Sequence, residues 1–193
     1  MRVLVACEFS GVVRRAFEKR GHDVLSCDLL ESEDNSPFHY QGDIRDLLGQ
    51  QWDLMIAHPP CTDIAVSGAA HFKAKIADGR QQRALDFVQH LMDANIPRIC
   101  IENPVSVISS KIRKPDQIIQ PWHFGDDASK KTCLWLKGLP LLAATNRLPG
   151  DDRTRRANQT ASGQNKLGPS PTRARERSRT YQGIADAMAN QWG

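Results

Sequence analysis

Short apolar runs, each ended by polar residues, glycine or proline, recur along the first half of the chain. They cover Arg2–Ala6, Asp23–Ser26, Trp52–Ala57 and Arg98–Ile101. Runs of this kind are typical of strands that are buried on both faces of a parallel sheet. The segments between them have helical spacing, over Val12–Arg20, Ile44–Leu48 and Gly79–Asn95. This alternation predicts an α/β fold with a doubly wound, mostly parallel sheet.

The pattern changes in the second half of the chain. Thr132–Lys137 is an apolar strand candidate that fits an antiparallel edge hairpin, whereas Leu148 to Thr180 has little periodicity and many Gly, Pro, Ser, Asn and Arg residues. The chain closes with Ile184–Trp192, whose apolar residues share one helical face. We therefore predict a catalytic domain over residues 1–147 and a basic, irregular C-terminal extension over residues 148–193 that ends in a short helix.

Charge is distributed unevenly between these two parts. The net charge is +4, and residues 151–193 hold eight Lys or Arg against four Asp or Glu, whereas the residues before them hold 18 of each. A neutral domain with a basic extension suits a protein that approaches a nucleic-acid backbone, although basic tails are often only solvated chain. The charge pattern thus makes nucleic acid a candidate partner.

Neither the apolar content nor the N-terminus suggests a membrane protein. Hydrophobic residues make up 40% of the chain, and no window reaches the roughly 18 consecutive apolar residues of a membrane span. The apolar run Val3–Ala6 is too short for the core of a signal peptide and is followed closely by Glu8. We expect a soluble, cytoplasmic protein without a membrane partner.

The five cysteines argue against a disulfide framework and a structural zinc site. Their number is odd, no Cys-x-x-Cys pair occurs, and we therefore predict no bound metal. Cys7, Cys27 and Cys100 lie in or beside apolar runs, where a small buried hydrophobe is expected. Cys61 instead follows Pro59-Pro60 and does not lie in an apolar run.

Polar residues after the first strands form a candidate cofactor site, because ligands of open α/β sheets bind at the carboxyl ends of the strands. There is no Gly-x-Gly-x-x-Gly loop for a pyrophosphate and no Gly-x-x-x-x-Gly-Lys loop for a triphosphate. One glycine turn followed by two acids instead favours an adenosyl ligand, and S-adenosylmethionine is the common phosphate-free candidate. Each acid could also be a simple helix N-cap. The candidate contacts are Glu8, Phe9, Gly11, Asp28, Asp43 and Pro59.

A candidate reactive site follows the next two strands. Two prolines stiffen the turn that carries Cys61, and Glu102-Asn103 ends the neighbouring strand. A partly buried carboxyl there is expected to have a raised pKa and to exchange protons near neutrality. A thiolate can add to C6 of a pyrimidine while an acid binds N3, which makes C5 nucleophilic. A buried structural cysteine and an ion-paired strand terminus are the alternative interpretations.

Pro60-Cys61 and Glu102-Asn103 resemble, in order and spacing, two motifs of the DNA cytosine-C5 methyltransferases, and the chain is most similar to the small members found in phages and prophages. The resemblance covers roughly residues 1–140. It implies a methyl donor, S-adenosylmethionine, and DNA as substrate. It also implies that Cys61 is the covalent nucleophile, that Glu102 binds cytosine N3, and that Asn103 braces the Pro-Cys loop. Phe9, Gly11, Asp28 and Asp43 are expected around the cofactor.

The chain departs from the family pattern at several positions. Where the family usually has Asp-Leu-Phe-x-Gly-x-Gly-Gly, this chain has Cys-Glu-Phe-Ser-Gly-Val-Val-Arg, so Glu8 stands where the aspartate is expected. Thr62 follows the nucleophile instead of glutamine, and the usual target-recognition domain has no counterpart. Basic residues are left as candidate nucleic-acid contacts. They are Lys130 and Lys131 before the Thr132 strand, and Arg175, Arg177 and Arg179 in the extension.

Three alternatives remain open at this stage. An amino-group methyltransferase also has two prolines at this strand end, but its motif ends in an aromatic residue, which His58-Pro-Pro-Cys61 lacks. A catalytically inactive fold that binds nucleic acid or a partner protein would explain the altered first motif. A cysteine hydrolase is less consistent, because His58 is too close in sequence to orient easily toward Cys61. Strand state, an RNA or nucleotide substrate, and the oligomeric state are not determined.

Overall fold

The fold is a seven-stranded sheet flanked by helices, seen in a computed structural model that describes residues 1–170 and 172–193. Along the sheet the strands run in the order β3-β2-β1-β4-β5-β7-β6. Their bounds are β1 Arg2–Ala6, β2 Asp23–Asp28, β3 His39–Gln41, β4 Leu54–Ala57, β5 Arg98–Pro104, β6 Gln117–Ile119 and β7 Thr132–Lys137.

Helices connect the strands and cover both faces of the sheet. The α-helices are α1 Val12–Glu18, α2 Phe72–Ala77, α3 Arg80–Met92, α4 Ile108–Lys111, α5 Arg173–Ser178 and α6 Gln182–Trp192. Short 3₁₀ turns occupy Ile44–Asp46, Val66–His71 and Pro121–His123.

Strand directions confirm the predicted doubly wound, mostly parallel α/β architecture. Strands β1 to β5 pair in parallel, whereas β7 runs antiparallel to both β5 and β6. The expected antiparallel edge hairpin is present, formed by β6 and β7, and within it β7 is the inner strand because it also pairs with β5. Its residues Cys133, Leu134 and Trp135 are almost fully buried, which suits an interior position. The short strand β6, with Ile118 half exposed, forms the edge instead.

The elements that the sequence pattern did not predict are short or polar. Strands β3 and β6 have three residues each, too few for a period-two pattern to be recognised. Helices α2, α4 and α5 have six, four and six residues, fewer than the two turns over which a helical period becomes visible. Tertiary pairing, and not local sequence, decides these elements.

The core consists of two hydrophobic clusters, one on each face of the sheet. Alternate residues of β1 point to opposite faces, so that Val3 and Val5 belong to one cluster and Leu4 to the other. The first cluster includes residues of α1 and α6, and the second includes residues of α3. Strand β1 is buried on both faces, as a central parallel strand must be.

The C-terminal extension returns to the body of the protein. Helix α6 packs beside α1 and places Ile184, Met188 and Trp192 in the same core cluster as β1. The last strand of the sheet ends at Lys137, and the last helix completes the core of the sheet, whereas the domain boundary at residue 148 stays a prediction. Across the part of the chain that the structure describes, no helix has the length and apolarity needed to cross a membrane.

Replacing Met188 by alanine should destabilise the whole fold. Its side chain is fully buried between α6, α1 and the sheet, and truncating such a residue leaves a cavity that costs about 2–5 kcal/mol. Urea unfolding should show this loss, whereas Gln182→Ala on the exposed side of the same helix should change the free energy of unfolding by less than about 1 kcal/mol. Equal, small effects of both variants would mean that α6 is not part of the core.

Candidate active site

The polar residues predicted as a site lie at the carboxyl edge of the central strands. The strand order reverses at the β1–β4 pair, where β2 lies on one side and β5 on the other. The loops after β1 and β4 diverge at such a switch point and leave a crevice, the usual ligand site of an open α/β sheet. The backbone N–H of His58, directly after β4, donates to Ala6 O at 2.9 Å and joins the two loops at their base.

The turn between β1 and α1 is held by a buried carboxylate. Cys7 (φ 59°) and Gly11 (φ 67°) adopt left-handed conformations that reverse the chain. Glu8, 4% exposed, accepts from the backbone N–H of Val13 at 2.7 Å and of Arg14 at 3.3 Å. The first free N–H groups of α1 therefore already have an anionic partner, so this helix N-terminus offers little to a phosphate.

The two acids after β2 and β3 have different surroundings. Asp28 is half-buried, accepts from Leu30 N at 3.0 Å, and forms no ion pair with any arginine or lysine of the described residues. Burial raises its pKa, although backbone hydrogen bonds and nearby His39 and His58 act in the opposite direction. Asp43 caps the following 3₁₀ turn and binds the Arg45 guanidinium through both carboxylate oxygens. Asp28 is thus the freer of the two carboxylates.

Phe9 lies beneath a contact between the β2–β3 loop and the C-terminal extension. The Arg175 guanidinium lies 4.9 Å from the centre of the Phe9 ring. Glu33 Oε1 accepts from Arg175 at 2.9 Å and from Arg179 at 2.8 Å, and the Glu33 backbone N–H donates to Phe9 O. The extension therefore covers the turn after β1.

These residues fit a phosphate-free adenosyl ligand with a cationic centre. Glu8 occupies the helix N-terminus that a phosphate would use. The carboxylate of Asp28, at the end of the strand next to β1, is available to ribose hydroxyls. Asp28, which forms no ion pair within the described residues, is also a carboxylate that can face a cationic centre such as a sulfonium.

Cys61 sits on a loop that is fixed at both ends. Asn103 Nδ2 donates to Pro59 O at 2.8 Å, which is the contact expected between this asparagine and the Pro-Cys loop. After the nucleophile candidate, the Cys61 carbonyl accepts from Ile64 N and Ala65 N at 3.1 and 2.8 Å. The buried Lys75 ammonium then binds the carbonyl of Thr62. The thiol is partly exposed on a rigid support.

Cations distinguish Cys61 from the other cysteines. Burial raises the pKa of the Cys61 thiol, and Glu102 adds to this, but the charges of Lys130 and Arg177 lower it. Burial raises the pKa of Cys27 to about 12, and the pKa of Cys100 and Cys133 also rises, without any such cation nearby among the described residues. Cys61 is therefore the cysteine whose thiolate is most favoured by its neighbours.

Glu102 is a buried carboxylate with an unexpected partner. Its Oε2 lies 2.6 Å from His58 Nδ1 and accepts a longer bond from Thr180 Oγ1 at 3.5 Å. Burial alone would raise its pKa, but the Lys130 charge and the His58 contact outweigh burial and lower the pKa to about 2. The raised pKa expected from the sequence was wrong, because burial was considered without the Lys130 charge and the His58 hydrogen bond that the fold supplies.

The structure also identifies residues that the sequence did not suggest. His58 was considered only as a poor partner for Cys61, and its pairing with Glu102 depends on the register of β4 and β5. Glu33 lies in a polar loop without any motif, and its two arginine partners are more than 140 residues away in sequence. No signal in a single sequence reveals contacts of this separation.

The basic candidates divide into three groups. Lys130 lies close enough to Cys61 and Glu102 to influence both, and its Nζ donates to Arg179 O at 3.2 Å. Lys131 forms a surface ion pair with Asp152 at 3.3 Å. Arg175 and Arg179 are held by Glu33, whereas the exposed Arg177 forms no ion pair within the described residues. No three His, Cys, Asp or Glu side chains in the described ranges cluster to hold a metal ion.

Comparison with known proteins supports the fold. No protein-family model and no curated protein sequence matches the chain. A solved structure from an E. coli prophage, described provisionally as a DNA modification methyltransferase, superposes with a TM-score of 0.52 at 15% identity, over 77% of this chain and 52% of that one. The chain thus spans about half the length of that protein.

A second solved structure, a 16S rRNA methylase, matches at 16% identity over 70% of this chain and 55% of that one, with a TM-score of only 0.36. The first comparison establishes the α/β architecture that this chain shares with a methyltransferase-like protein. Identities this low do not transfer a substrate or a reaction.

Glu102→Gln should remove part of the acid sensitivity of the fold. The carboxylate has an ordinary pKa of 4.5 and a folded pKa of about 2, so its stabilising contribution is complete above pH 4.5 and is lost as the pH falls towards 2. That contribution is on the order of 3 kcal/mol. Urea unfolding between neutral and acid pH should show a smaller loss of stability for Glu102→Gln than for the wild type. Parallel losses in both proteins would show that Glu102 is not held as a stabilised carboxylate.

Proposed function

We propose that this protein methylates C5 of cytosine in DNA, with S-adenosylmethionine as methyl donor and Cys61 as covalent nucleophile. One observation carries the proposal. Asn103 holds the Pro59 carbonyl at 2.8 Å, and Glu102 binds His58 at 2.6 Å, so the Pro-Cys loop and the Glu-Asn pair meet at the same edge of the sheet. A thiol and a carboxyl in that arrangement are what the addition of a nucleophile to a pyrimidine requires.

The chain supplies the groups for covalent activation. The Cys61 thiolate forms a bond to C6 of the base, the electron pair of the C5–C6 double bond shifts into the ring, and N3 takes a proton from the site of Glu102. C5 is then nucleophilic. C5 would then bond the methyl group and lose its hydrogen as a proton to solvent; that electron pair forms the C5–C6 double bond again, the S–C6 bond breaks, and N3 returns its proton. The Cys61 thiolate is thereby regenerated.

The cofactor crevice is the second element of the proposal. When bound, S-adenosylmethionine supplies the electrophilic methyl group that C5 takes up. Asp28 would bind the ribose hydroxyls, and the turn from Glu8 to Gly11, with Phe9 and Pro59, would line the remainder of the site. Asp43 is a weaker candidate for the adenine, because Arg45 already binds both of its carboxylate oxygens.

Nucleic acid is the proposed partner. The target base must leave the helix stack to reach a thiol in a crevice, which costs a few kcal/mol and is repaid by other contacts. Lys130 beside the reactive groups is placed to contact the base or its phosphate, and Arg177 offers a charge that no acidic residue of the described chain neutralises. Arg175, Arg179 and Lys131 would first have to leave their internal partners.

Cys61→Ser should abolish a covalent adduct that the wild type forms. Purified protein is mixed with radiolabelled S-adenosylmethionine and DNA that contains 5-fluorocytosine, because fluorine at C5 cannot leave as a proton and therefore traps the covalent intermediate. A labelled protein–DNA species should appear with the wild type and with Cys27→Ser, a buried cysteine away from the loop, but not with Cys61→Ser.

The opposite result would have a specific meaning. Absence of the adduct on single- and double-stranded DNA of varied sequence, together with no measurable binding of S-adenosylmethionine, would contradict the enzymatic proposal. A fold that binds nucleic acid or a partner without catalysis would then be the better description. An adduct that persists in Cys61→Ser would assign the nucleophile to another residue.

Arg177→Ala should weaken DNA binding in a way that depends on salt. Each phosphate contact contributes about one unit to the slope of log affinity against log salt concentration, so loss of Arg177 should reduce that slope by about 1. Fluorescence anisotropy with labelled single- and double-stranded DNA measures this. The control is Lys19→Ala. Lys19 follows the C-terminal end of α1, whereas the site lies at the N-terminal end of that helix, so Lys19 lies away from the site. If the slope of log affinity against log salt concentration is the same for Arg177→Ala, Lys19→Ala and the wild type, Arg177 does not contact a phosphate.

A further inference from the structure

His58 is a buried histidine that the proposed reaction does not yet use. Its Nδ1 lies 2.6 Å from Glu102 Oε2, and the His58 and Glu102 side chains are only 9% and 7% exposed. A nitrogen–oxygen distance this short is typical of a hydrogen bond to a charged group. Nδ1 must carry the hydrogen, because the ionised carboxylate can only accept.

The position of this side chain is fixed from several directions. Its own backbone N–H binds Ala6 O at 2.9 Å, and the following proline, buried Pro59, accepts from Asn103. Its second ring nitrogen, Nε2, is fully buried and has no hydrogen-bond partner within the described residues. A buried polar atom without a partner is unusual in a folded protein and is often found at functional sites.

The charged groups around the pair come from both sides of the crevice. On the cofactor side, Asp28 is near enough that His58 lowers its pKa. On the reactive side, Lys130 acts on Glu102 and Cys61, and Arg177 acts on Cys61. His58 therefore lies between the two halves of the site and contacts the carboxylate that the reaction needs.

We infer that His58 is the positioning residue of Glu102, and that the two side chains act as one acid–base unit towards the pyrimidine. The inference rests on the proposed function. His58 Nδ1–H holds Oε2, whereas Glu102 Oε1 has no hydrogen-bond partner among the described residues. One carboxylate oxygen is thus fixed by the protein, and the other is left for the edge of the base.

The addition to C6 needs a proton that an ionised Glu102 does not itself carry. A carboxyl with a pKa of about 2 is ionised near neutrality, yet N3 must receive a proton when Cys61 adds to C6. In a closely coupled pair the proton belongs to the pair and not to one residue. As Cys61 adds to C6, a proton from solvent passes over the free Oε1 to N3, while the His58 Nδ1–H holds Oε2 and stabilises the carboxylate that remains. The proton returns to the pair when the S–C6 bond breaks.

Two substitutions separate the hydrogen bond from the titration. In His58→Asn the side-chain amide can take the place of Nδ1–H but cannot ionise, whereas His58→Ala removes both functions. The rate of adduct formation on 5-fluorocytosine DNA is measured from acid to alkaline pH for both variants and the wild type. His22→Asn is the control. His22 directly precedes β2 and therefore lies where that strand begins, whereas the site lies where the parallel strands end.

The expected results differ between a catalytic and a merely structural role. His58→Ala should slow adduct formation by about 10- to 100-fold, the loss expected for one hydrogen bond to a charged group. His58→Asn should recover much of the rate but lack one ionisation seen in the wild-type pH profile. Parallel profiles for the wild type and His58→Asn would overturn the inference and leave His58 as a structural contact.

A measurement without substrate completes the test. Nitrogen-15 NMR of the histidine rings should show a strongly deshielded, protected Nδ1–H in the wild type that is absent in Glu102→Gln and His58→Asn. Absence of this signal in the wild type overturns the inference even if the enzyme is active. If the signal is present but the wild type forms no adduct, the proposed function fails and the catalytic role of His58 falls with it. If the wild type forms the adduct but its pH profile does not differ from that of His58→Asn, the role of His58 is refuted and the proposed function stands.

Discussion

The parallel pairing of β1 with β4 is the constraint on which the rest of the site depends. Val3–Ala6 of β1 and all four residues of β4 are fully buried, and the register aligns Ala6 with Ala57, so that the following loops start at the same height above the sheet. The hydrogen bond from His58 N to Ala6 O continues this pairing by one step. A one-residue slip would break this hydrogen bond and shift the Pro-Cys loop by about 3.3 Å along the strand, away from the turn after β1.

Three carboxylates near the crevice bind specific donors that the fold supplies. Glu8 accepts from backbone N–H groups at the start of α1, Glu33 binds two arginines, and Glu102 binds His58 under the influence of Lys130. Burying a carboxylate without a partner costs free energy of folding, and each of these three carboxylates has a partner. Asp28 is the exception because it forms no such ion pair, which makes it the natural contact for a ligand.

The C-terminal extension joins the two halves of this site. Arg175 and Arg179 bind Glu33 beside the turn after β1, whereas Thr180 reaches Glu102 and the Arg179 carbonyl binds Lys130. Helix α6 follows at once and is anchored in the core beside α1. The segment therefore spans the crevice between the turn after β1 and the Glu102 carboxylate.

The sequence by itself determined the longer strands, the α/β class and the residues that end the strands, because apolar period, Gly and Pro act over a few residues. It also marked Cys61 and Glu102-Asn103 as neighbours, since consecutive parallel strands end at one edge. Only the tertiary structure decided that β7 lies inside the sheet, that His58 binds Glu102, and that the pKa of Glu102 is lowered. These depend on strand register and on charges brought from distant segments, and no local pattern encodes them.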